Sequence, residues 1–167
     1  QCDVFAMYGE PLAETTARIA EHRRRTAALG RKAAFNMSFR PIIAETEGVA
    51  WDKARRILAD IKSAKPIVPG GDVSGRRLME IASRGEIHDE RLWMPIAEAT
   101  GARGNTTCLV GTPEQVAEAM LKYYRLGVDS FLIRGFDPLN DAREYGRELI
   151  PRLRAGAAAL DQSVAAE

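Results

Sequence analysis

The stretch RGNTTCLVGTPEQVAEAMLKYYRLGVDSFLIRGFDPLNDAREYGRELIP, residues 103–151, decides the fold, because each join in it carries the residues that a join needs. Thr107 to Val110 is a short apolar run closed by Gly111. Thr112, Pro113 and Gln115 then supply an N-cap, a first helical position with preset φ and the far arm of a capping box, so a helix begins there. Val116, Met120, Tyr123 and Tyr124 recur at the helical period, and Gly127 stands where a left-handed residue ends the helix after Leu126. Val128 to Ile133, rich in β-branched and aromatic residues, has the length of a buried strand, and Asp137 with Pro138 repeats the cap before another helix. Two successive strand–helix units imply parallel strands joined by right-handed crossovers. Both strand C-terminal ends, with Gly111, Thr112 and residues 134–137, therefore share one rim, and function is expected there.

Upstream the same rhythm recurs twice. Asp3 to Met7 reads as a strand ending in Tyr8-Gly9-Glu10-Pro11, and Pro11 opens a helix with Leu12, Ile19 and Leu29 on its apolar side, closing at Gly30. Phe35 to Ile43 alternates, with Met37, Phe39, Pro41 and Ile43 on one side and Asn36, Ser38, Arg40 and Ile42 on the other. Thr46 then caps a helix carrying Ala50, Trp51, Ala54, Ile57, Leu58 and Ile61. In an eight-stranded βα barrel one strand face packs under the helices and the other lines the interior, which would aim Ser38 and Arg40 inward near the rim. With the register reversed, or the face shifted at Pro41, Arg40 instead joins an ion pair with Glu10 or Glu45.

Between Lys62 and Arg103 the rhythm stops. Two helical patterns, around Ser74 to Arg84 and His88 to Ala99, are set off by glycines, which marks residues 62–105 as an insertion of the kind that builds lids and substrate pockets. Arg103, flanked by Gly101 and Gly104, either swings over a bound anion or is a solvated loop arginine.

Four strand–helix units make about half of an eight-stranded barrel of roughly 250 residues. The expected layout is an α/β half-barrel over residues 1–155 and a disordered tail at 156–167. A half-barrel has two open edges, so the chain is expected to be part of a longer one or to pair with something, a homo-oligomer included. With 167 residues, 46% apolar content and a net charge of +1, it can bury one core, and nothing in it calls for nucleic acid or membrane. The absence of a long apolar run and of a signal segment points to the cytoplasm. Cys2 and Cys108 lack metal-ligand spacing and read as plain thiols, and His22, among Arg23, Arg24 and Arg25, reads as a solvated surface residue. No metal cluster, glycine-rich nucleotide loop or Ser/His/Asp set is legible.

The run LVGTPEQVA, the phrase LGVDSFLIRGFDPL and the close YGRELIP resemble the C-terminal end of the bacterial luciferase-like, flavin-dependent monooxygenases, most closely the alkanesulfonate monooxygenase branch. The resemblance runs from Asp3 to about Leu153 and implies the last four units of a (β/α)8 TIM barrel with the insertion before its seventh strand. It implies an enzyme that takes reduced FMN from a partner flavin reductase and, with O2, oxidises an organosulfonate or similar small anionic substrate. Arg103 resembles the loop arginine that closes over flavin and sulfonate and is the catalytic candidate, while Tyr8 matches the aromatic residue of an aromatic-GEP turn bordering the pocket. Arg40, Ser38, Tyr8 and Phe136 are the substrate-binding candidates, and the main flavin contacts are expected upstream of Gln1. The strand departs from those enzymes: Ser38 stands in place of an arginine, Arg40 in place of a histidine and Phe136 in place of a tyrosine, with Arg40 restoring positive charge two residues away. The alternative is a half-barrel without catalysis, a pseudo-enzyme or interaction module that self-associates through its strand edges.

Overall fold

The alternating run read at Phe35 to Ile43 forms the longest strand, and the sheet is built on it. The computed structural model describes residues 2–64, 72–104 and 106–165. Along the chain come β1 (Val4–Tyr8), α1 (Leu12–Ala27), β2 (Ala34–Ile43), α2 (Glu47–Ser63), α3 (Val73–Ser83), β3 (Ile87–His88) and β4 (Leu92–Trp93). There follow α4 (Pro95–Ala99), β5 (Cys108–Gly111), α5 (Pro113–Arg125), β6 (Ser130–Ile133), α6 (Pro138–Glu144), one π-helical turn (Tyr145–Leu149) and α7 (Ile150–Ala165). The helix starts are chemical. Thr46 accepts from Val49 N, Asp137 from Asn140 N, and at α5 both arms of the capping box are made, Gln115 N to Thr112 Oγ1 at 3.3 Å and Thr112 N to Gln115 Oε1 at 2.9 Å. Gly127, at φ +96°, takes the left-handed conformation that ends α5.

Successive residues of an extended strand offer their amides to opposite edges, and β2 uses both. Its even-numbered residues bond first to β1 (Ala34 N to Asp3 O, Gly9 N to Ser38 O) and then to the start of β5 (Arg40 N to Thr107 O). Its odd-numbered residues bond to β6, Asp129 N to Phe35 O and Arg134 N to Phe39 O. All three partners are parallel, with registers Tyr8↔Ser38, Arg40↔Cys108 and Phe39↔Ile133. The result is an α/β fold whose sheet curls as a half-barrel.

The insertion departs from its expected pattern. Ile87–His88 and Leu92–Trp93 form a short antiparallel pair, and β4 adds antiparallel to β5, so six strands rather than four stand among the described residues. Asp89 and Glu90 at positive φ turn the chain between them, and helix begins only where Pro95 presets it. Residues 65–71 and 105 of the 62–105 insertion lie outside the described residues. The C-terminal segment also differs from expectation: α7 continues to Ala165 rather than fraying from 156. Tyr124 OH donates to Asp161 Oδ1 at 2.7 Å, and Gly156 lets the helix lie against Leu121. Leu29, expected on the apolar side of α1, is 76% exposed because the helix ends before it.

Two cores flank the sheet. Met7, Phe35, Met37 and Phe39 face Ile19 of α1, Leu78 of α3 and Met120 of α5. Ile42, Cys108 and Val110 point the other way and are covered by Ala50 and Ala54 of α2, with Trp93 and Ile96. The face that Asn36, Ser38 and Arg40 share is thus open along its first half and roofed along its second, where its side chains turn apolar. Tyr123 ties the first core to the rim: its ring lies 5.0 Å from that of Phe39, and its hydroxyl donates to Glu10 O at 2.9 Å. Tyr123→Phe keeps the ring and leaves Glu10 O only its 3.2 Å bond from Thr15 Oγ1, so urea unfolding is expected to show a loss of about 1 kcal/mol at unchanged m-value.

Candidate functional site

The register places Tyr8 directly beside Ser38, and parallel neighbours project to the same face. The turn after Tyr8 is tightly constrained. Gly9 N donates to Ser38 O at 3.0 Å, and a Cβ on residue 9 would stand 2.1 Å from Phe39 Cε1 and 2.9 Å from Thr107 Oγ1. Glu10 follows with its carboxylate buried; Oε1 accepts from Arg18 Nη1 and, at 2.9 Å, from Arg77 Nε. A buried carboxylate needs such partners to remain charged. Arg77 lies on α3, so this pairing fastens the insertion to the turn, aided by Arg84 to Glu14 and by Leu12 N to Asp89 Oδ2. Between them opens a cleft of about 330 Å³ lined by Tyr8, Glu10, Asn36, Ser38, Asp72 and Ser74, among others.

Arg40 comes next on the Ser38 face. Its Nη1 donates to Gly135 O at 2.6 Å, and its guanidinium carbon sits 4.9 Å from the centre of the Phe136 ring, a cation–π contact. The loop that provides both is held by Asp141, whose Oδ2 accepts from Phe136 N at 2.7 Å and Asp137 N at 2.9 Å, while Lys53 approaches Asp141 Oδ1 at 3.6 Å. Burial, and after it the charge of Arg134, depresses the Arg40 pKa. Cys108, its partner across the ladder, is buried and its thiol is pushed up to about 12, which leaves it a neutral packing group rather than a nucleophile. Tyr145, from the π-helical turn, donates to Pro41 O and anchors β2 just beyond Arg40.

Tyr8 with Ser38, and Arg40 with Phe136, are therefore two pairs along one strand face at the rim. Arg103 stands apart. It is exposed in a turn with Gly101, Ala102 and Gly104 at positive φ, does not line the cleft, and through its guanidinium makes no hydrogen bond or ion pair among the described residues. The turn rests against the cleft wall: Ala102 O lies 3.5 Å from where a Cβ of Gly75 would be, and Gly75 N donates to Asp72 Oδ1. Asp141 was passed over in the sequence, and Glu10 was offered only as a turn residue and as an alternative ion-pair partner of Arg40. Its carboxylate pairs with Arg18 and Arg77, 8 and 67 residues away. Asp141, four residues after the Asp137 cap, carried a signal that looks like ordinary helix polarity. His22 is not simply solvated: its ring packs 3.6 Å from that of Phe5, and burial lowers its pKa.

Comparison with known proteins gives a consistent answer. The family described as Luciferase-like monooxygenase matches residues 1–130. Among solved structures, the fold is similar to that of riboflavin lyase RcaE with modified FMN and riboflavin (20% identity, TM-score 0.64). It is similar also to DmoA from Hyphomicrobium sulfonivorans (17%, 0.65) and to the EDTA monooxygenase EmoA from Chelativorans sp. BNC1 (18%, 0.59). In each case 92% of this chain is covered, against 38%, 37% and 39% of the other, so the chain spans well under half the length of these structures. At such identities the likeness is one of fold.

Proposed function

The chain belongs to the luciferase-like monooxygenase family, and on that premise we propose that it supplies the substrate side of a flavin-dependent monooxygenase. The enzyme takes reduced FMN from a partner flavin reductase and uses O2 to oxidise an organosulfonate or a similar small anion. The observation that carries this reading is the Arg40–Phe136 stack standing beside the Tyr8–Ser38 pair on one strand face. A guanidinium is a planar fork matched to the oxygens of a sulfonate or carboxylate.

Reduced FMN, when bound, supplies the electrons with which one oxygen atom of O2 is transferred to the substrate. The chain's own residues bind and shield. Arg40 and the Ser38 hydroxyl hold the anionic group, Tyr8 borders it, and Phe136 keeps the guanidinium in plane and excludes water. Arg103 closes over the occupied cleft, a role suited to an exposed residue on a turn that rests on the cleft wall. Ala6, Ser38 and the half-exposed Leu132 line one side of the cleft with small and apolar side chains suited to one side of a planar ring, whereas no glycine-rich phosphate loop occurs in the sequence. We therefore assign the main flavin contacts to polypeptide outside these 167 residues. Self-association through the outer edges of β1 and β6, and a cytoplasmic setting, belong to the same proposal; no helix among the described residues is long and apolar enough to cross a membrane.

Sulfite release from an alkanesulfonate, with reductase, FMN and O2 present, tests the proposal in the polypeptide that contains this chain. Arg103→Ala is expected to lower kcat/KM about 100-fold, the scale of a lost closing group, with the melting temperature unchanged because the side chain is exposed. Equal turnover by the variant removes Arg103 from the mechanism, and no turnover of any small anion contradicts the proposal itself.

A further inference from the structure

The rim carries a second arginine beside Arg40. The last ladder pair between β2 and β6 is Phe39↔Ile133, and Arg134 N, just past the end of β6, continues the pattern by donating to Phe39 O at 3.1 Å, so the next position on each side is an arginine, Arg40 on β2 and Arg134 after β6. Opposed residues of parallel strands project to the same face at a strand spacing of about 4.8 Å. Asn36 and Ser130 demonstrate it on this pair of strands, Asn36 Nδ2 donating to Ser130 Oγ at 2.8 Å. Asn36, Ser38 and Arg40 thus form one column and Ser130, Leu132 and Arg134 its neighbour, each ending in a guanidinium at the rim.

The two charges sense one another, since Arg134 is the largest influence on the Arg40 pKa after burial. Arg134 is exposed, and among the described residues no hydrogen bond or ion pair compensates its guanidinium. Like charges on adjacent strands repel, and an anion between them turns that repulsion into attraction. One guanidinium matches the two oxygens of a carboxylate, and a second adds donors for the third oxygen that a tetrahedral group carries.

We propose that Arg134 is a second anion-contacting residue, gripping together with Arg40 a three-oxygen anionic group, a sulfonate or phosphonate, in preference to a planar carboxylate. That this anion is part of the oxidised substrate rests on the monooxygenase proposal; the anion site itself rests on the two strand columns.

The test needs no flavin. The 167-residue chain, labelled at its arginine side chains, is titrated with methanesulfonate, methylphosphonate, acetate and the neutral dimethyl sulfone while the guanidinium resonances are followed by NMR. The Arg40 and Arg134 resonances are expected to move together and saturate with methanesulfonate or methylphosphonate, to respond more weakly to acetate, and to ignore dimethyl sulfone. Which of the two tetrahedral anions binds tighter separates the sulfonate source from the phosphonate source. Arg134→Gln is expected to weaken binding about tenfold, the loss of one charged contact, with Arg134→Lys recovering part and both variants melting as the parent does. A stationary Arg134 resonance, unchanged affinity in Arg134→Gln, or no anion response at all overturns the site. Reduced-FMN binding is a separate readout: a chain that binds flavin but shows no anion response loses only the arginine pair, and one that responds to anions in a polypeptide that never binds flavin loses only the monooxygenase.

Discussion

Gly9→Ala is expected to lower the melting temperature by about 10 °C, corresponding to roughly 3 kcal/mol, the upper end of overpacking penalties. The added methyl would stand 2.1 Å from Phe39 Cε1 and 2.5 Å from Phe39 Cδ1. That ring cannot retreat. Phe39 is fully buried, 5.0 Å from the ring of Tyr123 and 6.3 Å from that of Phe131. On the other side the methyl would meet Thr107 Oγ1 at 2.9 Å, on the segment to which Arg40 N donates. The damage therefore spreads to both strands that carry the site, and anion affinity should fall along with stability. Thermal denaturation followed by circular dichroism reads the first effect; a shift under about 2 °C would mean that the turn yields without moving Phe39.

Arg40→Gln is expected to cost about 100-fold in kcat/KM, as the loss of a partly buried charged contact does. The substitution removes the charge, the 2.6 Å bond to Gly135 O and the stack on Phe136 together. Arg40→Lys returns the charge but neither the planar fork nor the stack, so it should recover less than about a tenth of the lost efficiency. Steady-state kinetics on an anionic substrate check this, and parent-like kinetics in either variant would remove Arg40 from the site. Melting curves of the same variants separate a failure to bind from a failure to fold.

Local chemistry was the legible part of this molecule. The capping box of Thr112 and Gln115, the Asp137 cap, the left-handed Gly127 and the two faces of Phe35 to Ile43 are each written in a few neighbouring residues, and each stands where the sequence puts it. What escaped depends either on backbone conformations that a periodicity hides or on residues far apart in the chain. The β3–β4 pair needs two residues at positive φ, which the periodicity of His88 to Ala99 hides. The helical end of the chain is held by Tyr124 and Leu121, more than 30 residues upstream. At the site, Tyr8 with Ser38 and Arg40 with Phe136 were named from the sequence and meet in space, because strand register enforces the first pair and the Asp141-held loop the second. Arg134 was placed on the rim by the sequence only as the first residue of the 134–137 segment; the register beside β2 sets it next to Arg40.

Anaerobic equilibrium titration with reduced FMN, of the polypeptide that contains this chain and of the 167 residues alone, tests the flavin assignment most directly. Saturable binding by the former and weak binding by the latter is the predicted result. No saturable binding of reduced FMN by the longer polypeptide would contradict the assignment and favour a half-barrel that serves as a non-catalytic, self-associating module.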